Sequence, residues 1–217
     1  MIARILISSI PFRRGACLGI TYRDDDTGLG LNEILSGISL THLSNLLSPT
    51  FMEYGSASPV VRLIGPNGSF SYDHEWSPGI PFAEFPVLPL TNIRELRLAA
   101  RDQSIVVHPS SFPALETLAV EYSTDLSRLF SAFFPNPSFP PSLKTLGFSG
   151  CAVSKKFMEE LTRFASSRKN TTSGWLHHVI IIHQDGMFPT VASIRELEKH
   201  VPIVDVQFGR TLPTDLT

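Results

Sequence analysis

The chain has 217 residues, 20 acidic against 18 basic side chains, a formal net charge of −2 and a mean hydropathy of +0.10. That length buries roughly 70% of the unfolded surface in one domain without a metal or disulfide staple, and the near-neutral balance lacks the basic footprint of a nucleic-acid or anionic-membrane binder. Two cysteines, Cys17 and Cys151, are too few for a secreted disulfide framework and fit a reducing, intracellular compartment, cytoplasmic or nuclear.

Charged residues make up 18% of the chain, below the ~25% of typical soluble proteins, which leaves apolar surface for a partner. No run of 18 apolar residues exists to span a membrane. In the opening "MIARILISSIPFRR" the Arg13-Arg14 pair follows the apolar run, where a signal peptide would need small cleavage-site residues. "ACLGITYRD" reads as a strand from Ala16 to Arg23. The "YRDDDTG" after it approaches the Asp-x-Asp-x-Thr nucleophile loop of haloacid-dehalogenase-type phosphatases through Asp24 and Asp26. Thr27 comes one residue early, so a solvated acidic turn is the preferred reading and a phosphatase the remote alternative. "LNEILSGI" reads as a short helix, "VVRLIGPNGSFSYD" as a hairpin with a tight turn at Asn67-Gly68, and Trp76 to Leu90 as a Pro-rich loop.

From Ile93 onward one pattern returns, with apolar residues at the first, fourth and sixth places of each unit. The matches are Ile93, Leu96, Leu98; Leu115, Leu118, Val120; Leu143, Leu146, Phe148; Leu176, Val179, Ile181; and Ile203, Val206, Phe208, with first places 22, 28, 33 and 27 residues apart. Variable periods of this size are those of leucine-rich repeats, each a short strand plus a return segment. The third unit, "LKTLGFSGCAV", fills the whole Leu-x-x-Leu-x-Leu-x-x-(Asn/Cys)-x-Leu template, with Cys151 at the buried turn position. Return helices are expected after Thr124 (Leu126, Leu129, Phe130 and Phe133 inward), after Ser154 (Phe157, Leu161, Phe164) and after Thr190 (Val191, Ile194, Leu197).

The expected architecture is therefore α/β: a leucine-rich-repeat-like solenoid in a single domain over 1–217, with short parallel strands on the concave face and helices and loops on the convex face. Residues 1–90 form degenerate repeats carrying the hairpin, and 91–217 form regular ones. Residues at places three, five and seven should face the concavity, because strand side chains alternate. These are Glu95, Arg97 and Ala99; Thr117, Ala119 and Glu121; Thr145, Gly147 and Ser149; His178, Ile180 and Ile182; and Asp205, Gln207 and Gly209. Ile180 and Ile182 would then be exposed apolar residues beside His178, a candidate contact site for a protein, unless upstream chain such as the hairpin near Asn67 covers them. His177, His178 and His183 alternate in face and do not converge as metal ligands; no catalytic residue and no cofactor is expected.

The passages "LTNIRELRL", "FPALETLAVEY", "FFPNPSFPPSLKTLGFSGC", "FMEELTRFASSRKNTTSGWLHHVIIIHQDG" and "SIRELEKHVPIVDVQFG" resemble the C-terminal leucine-rich region of F-box-type proteins of filamentous fungi. The similarity extends upstream to "DTGLGLNEILSGIS" and "LIGPNGSFSY". The resemblance implies repeats that select a substrate for a cullin ubiquitin ligase and supplies no catalytic residue. Too few residues precede the first strand for an F-box, so binding of the Skp adaptor is expected only if one lies upstream in a longer product. The expected function is a non-catalytic protein-interaction scaffold; the alternative is a remnant of such a receptor without independent activity.

Overall fold

The computed structural model describes residues 16–22, 51–55, 60–65, 68–74, 90–99, 111–123, 126, 140–170, 174–183 and 188–209. Among these residues nine strands and two α-helices follow in order: β1 (Ala16–Tyr22), β2 (Phe51–Gly55), β3 (Val60–Gly65), β4 (Gly68–His74), β5 (Glu95–Ala99), β6 (Thr117–Glu121), β7 (Thr145–Ser149), α1 (Lys155–Lys169), β8 (His178–His183), α2 (Val191–Glu198) and β9 (Ile203–Phe208). They make one sheet in the order β1-β4-β3-β2-β5-β6-β7-β8-β9. From β5 to β9 sequence order and spatial order coincide and every pairing is parallel. The chain is an α/β protein built on a parallel-strand sheet.

The repeated Pro-x-Leu has a local cause. In three successive units the residue at place one donates its N–H to the carbonyl three residues before it, Ile93 to Leu90, Leu115 to Phe112 and Leu143 to Pro140, each at 3.2 Å. Pro113 and Pro141 stand second in their turns, where a fixed φ near −65° is already the required value. The turn then delivers place two to the neighbouring strand: Glu116 N–H donates to the Arg94 carbonyl, Lys144 to Glu116 and His177 to Lys144, each at 2.8 Å. This sets the common register Glu95–Thr117–Thr145–His178 across the sheet. Past the strands, Tyr122 and Gly150 take the same left-handed conformation, φ 58° and 60°, and donate to Ser149 and Ile182. Glycine adopts it freely; at Tyr122 it costs on the order of 1 kcal/mol, borne by the lateral bond of 2.7 Å.

Leu96, Leu98, Leu118, Val120, Leu146, Phe148, Val179 and Ile181 are buried on the face toward the helices. Helix α1 starts where Ser154 caps it, its hydroxyl accepting from Phe157 N–H at 3.1 Å, and buries Phe157, Leu161 and Phe164 as the spacing predicts. Phe157 meets Phe148 edge to face at 5.0 Å. Arg168 is fully buried in the last turn of α1, and its Nη2 donates to the carbonyls of Pro140 and Leu143 at 3.1 Å each, tying α1 to the turn that starts β7. Burial lowers its pKa to about 10, so it stays charged at neutral pH. Thr190 caps α2 through Ser193 N–H at 3.1 Å, but of the three residues expected to face inward only Leu197 is fully buried; Val191, in the first turn, is exposed.

Three expectations are corrected or relocated. The strand continuing the parallel array beyond β5 is β2, which the periodicity did not mark, with Phe51 opposite Glu95. In the hairpin of β3 and β4 the closing pair is Gly65–Gly68, so the two residues between the strands are Pro66 and Asn67 and not Asn67-Gly68. The fifth unit is out of phase by two. His178 lies opposite Ile203, and the residue at place one is Val201, 1% exposed, while Ile203 is 51% and Phe208 72% exposed. The unit is Val201-x-x-Val204-x-Val206. Pro202 stands at place two without an N–H, so only the place-three bond is made there, Ile203 to the His177 carbonyl at 3.1 Å, the counterpart of Thr117 to Arg94, Thr145 to Glu116 and His178 to Lys144. The expected helices at LNEILSGI and after Thr124 lie outside the described residues, apart from Leu126, which is buried.

The phase correction is directly measurable. Val201→Ala should destabilise the protein by about 2 kcal/mol in urea unfolding, and Ile203→Ala by no more than about 0.5 kcal/mol; the original phase requires the reverse order.

Candidate interaction surface

The residues expected to line the concavity form three rows across the sheet: Glu95, Thr117, Thr145, His178 and Ile203; Arg97, Ala119, Gly147, Ile180 and Asp205; Ala99, Glu121, Ser149, Ile182 and Gln207. A shift of two keeps alternation, so Asp205 and Gln207 remain on this face, and Ile203 replaces Gly209. The members from β5 to β8 are aligned as predicted and that from β9 is displaced by two; the exposure of the rows differs from the expectation. Thr117, Ala119, Thr145, Gly147, Ser149, Ile180 and Ile182 are buried, Ile180 and Ile182 at 4% and 3% exposure in one cluster with Ala119. Ile180 and Ile182 are therefore core residues and not an open contact site. A parallel sheet covered on both faces is written as continuous apolar runs instead of alternation, and Val179-Ile180-Ile181-Ile182 is such a run.

The polar members of the rows sit at the margins. On one side Arg97 Nε donates to Glu95 Oε1 at 2.8 Å, and Glu121 is half-buried. On the other, His178 Nε2 and Asp205 Oδ2 lie 2.8 Å apart, and Gln207 is exposed. His183 is buried on the opposite face from His178, with Phe188 at 4.0 Å and Phe208 at 5.5 Å between ring centres; His177 is exposed. The three histidines do not converge, and the described residues contain no cluster of three or more His, Cys, Asp or Glu able to hold a metal ion. The Asp24–Asp26 loop lies outside the described residues.

The apolar surface is elsewhere. Phe188 and Val191 are each 66% exposed, Phe208 72% and Ile203 51%, and all four lie on β9 or on the segment leading into α2. Phe188 and Phe208 flank the His183 ring, so these two form one rim on the helix side of the sheet, and Ile203 faces the other side beside His178. Sequence reasoning missed Phe208 and Ile203 as surface because the two-residue phase error placed both in the core. Phe188 and Val191 carried no signal, since exposure there depends on what packs over α2.

Between α1 and α2 lies an open cleft of about 600 Å³, lined by residues that include Met158, Arg163, Ser166, Ser193, Glu196 and His200. Lys199 hydrogen-bonds Glu196 and lowers its pKa, which leaves this carboxylate committed to its own helix. Cys151 is buried, with Sγ 3.4 Å from the Val120 carbonyl and 3.5 Å from that of Ser149. Burial pushes its pKa up to about 11. It is a packing residue at the turn after β7, as the repeat template requires, and its thiol is held in the unreactive protonated form. No helix among the described residues is long and apolar enough to cross a membrane. No protein-family model, curated protein or solved structure matches the chain significantly.

The thiol sets a pH dependence. Unfolded Cys151 releases its proton near 9.0 and the folded residue near 11, so its contribution is complete below pH 9 and lost as pH rises toward 11. In a Cys17→Ser background, the stability advantage of Cys151 over Cys151→Ala should shrink by roughly 2–3 kcal/mol across that interval, and a thiol reagent should react only at the rate of unfolding.

Proposed function

We propose that this chain is a leucine-rich-repeat-like solenoid and a non-catalytic protein-binding scaffold, the substrate-selecting part of an F-box-type receptor. The observation that carries the reading is the concentration of exposed apolar residues at one end of the sheet. Phe208 at 72%, Phe188 at 66% and Ile203 at 51% lie on or beside β9 and exceed the exposed Trp175 and Ile64 elsewhere, whereas Thr117 and Thr145, in the row of Ile203, and His183, opposite Phe208, are buried. Aromatic side chains backed by packed residues are the usual anchors of protein interfaces. The fixed register, the three matching turns and the shared left-handed exits support the repeat reading of the fold. The contact surface moves from the expected centre, Ile180 and Ile182, to the β9 end, where His178, Asp205 and Gln207 supply the polar margin. Skp-adaptor binding belongs to this reading only where an F-box precedes the repeats in a longer product, and the reducing cell interior is the compartment it implies.

Paired affinity capture from a lysate of the source cells tests it, with the native chain and a Phe188→Ser, Phe208→Ser double variant as baits. Both positions are exposed, so the variant should keep its unfolding midpoint while losing the partner by roughly tenfold or more in affinity. Capture of the same partners by both baits overturns the assignment of the surface. Capture of none by the native chain supports the second reading, a receptor remnant without independent activity.

A further inference from the structure

The exposed end of the sheet has one property that narrows the partner. β9 is the last strand of the sheet order, and among the described residues no strand pairs with its outer side. Ile203 N–H bonds the His177 carbonyl and Gly209 N–H the His183 carbonyl, so the backbone groups of residues 203, 205, 207 and 209 point to β8. Those of Val204, Val206 and Phe208 point outward by alternation. Natural sheets blunt such edges with lysine, proline, a bulge or an inward-pointing charge. "IVDVQF" has no lysine, proline or bulge, and its one charge, Asp205, is already held by His178. Among the described residues the edge is an open template.

We propose that β9 pairs with β9 of a second copy of this chain, antiparallel about a two-fold axis at Val206, joining two sheets into one. This rests on the reading of the β9 end as an interaction surface and names its occupant. The sequence of the strand is complementary to itself in this register. The outward residues pair with one another, Val206 with its own copy and Val204 with Phe208, each pair exchanging both N–H···O bonds. Val204 against Phe208 is a β-branched–aromatic pair on the helix side, which covers the exposed ring of Phe208. Asp205 against Gln207 places a carboxylate opposite an amide that can donate to it. Moving the axis to Asp205 would set two carboxylates against each other, and moving it to Gln207 would leave Asp205 opposite glycine. The isologous arrangement closes at two copies, whereas β9 against β1 of another copy would grow without limit.

Sedimentation equilibrium of the full chain over the micromolar range tests the pairing with three variants. Val206→Pro removes an outward N–H that the chain's own sheet does not use, and should abolish the dimer while far-ultraviolet circular dichroism is unchanged. Gln207 is exposed, so its variants report register without threatening the fold. Gln207→Glu opposes two pairs of carboxylates and should weaken the dimer roughly threefold to tenfold, and Gln207→Lys should tighten it by a similar factor, both effects fading in high salt. A monomeric native chain, an association indifferent to Val206→Pro, or equal responses to Glu and Lys overturns the proposal, as does growth into open filaments. A chain that stays monomeric yet retains a foreign partner through Phe188 and Phe208 defeats the dimer and leaves the scaffold reading standing. A dimer that holds no foreign partner defeats only the scaffold reading.

Discussion

The lateral hydrogen bond from place two of each unit to place two of the unit before it is the constraint on which the rest of the structure hangs. Arg94, Glu116, Lys144 and His177 form one line of carbonyls and amides across the sheet, and every strand begins immediately after its member of that line. Side-chain alternation does the rest. Once place two is fixed, places four and six are committed to the helix face and places three, five and seven to the other. A turn with proline second stiffens the approach to β6 and β7, and Arg168 braces the turn before β7 from behind through its two carbonyls. The fifth unit keeps the register without the place-two bond: Pro202 cannot donate, and Ile203 makes the same place-three bond that Thr117, Thr145 and His178 make in their units.

Burial on both faces follows from the same geometry and has a functional consequence. A sheet with a solvated concave face can present its central residues to a partner, but β6 to β8 bury theirs, including Thr117, Thr145, Ile180 and Ile182. Recognition by such a sheet has to use its margins. The two sides of the buried centre differ in chemistry. At β5, which continues into β2, an ion pair of Arg97 with Glu95 satisfies the polar groups locally. At β9 one histidine–carboxylate pair adjoins Ile203 and Gln207 on one face, and the Phe188–His183–Phe208 stack occupies the other. An edge whose backbone pairs with no other described strand, beside the exposed rings of Phe188 and Phe208, has both the directional and the apolar components that strand addition requires.

The legible part of the fold was the part written in local pattern. The five parallel strands, the caps at Ser154 and Thr190, the inward face of α1 and the buried role of Cys151 were all readable, since each depends on residues within one turn or one strand of each other. The run Val179 to Ile182 also announced that one strand has no solvated face, although alternation was read into it. The candidate site was legible only as a set of aligned positions. Which members of the rows were open to solvent was a different quantity, which strand alternation does not encode.

Sequence alone therefore determined the recurring strand unit, its two faces and the helices after Ser154 and Thr190, because turn chemistry and the two periodicities of strand and helix act over a few residues. Tertiary structure alone decided the pairing of β2 with β5, the phase of β9, and the burial of Ile180 and Ile182. Each of those depends on neighbours that lie outside the local pattern of the unit. The two-residue error at β9 preserved every face and changed only depth, which is why periodicity could not detect it and the lateral bond from Ile203 to His177 could.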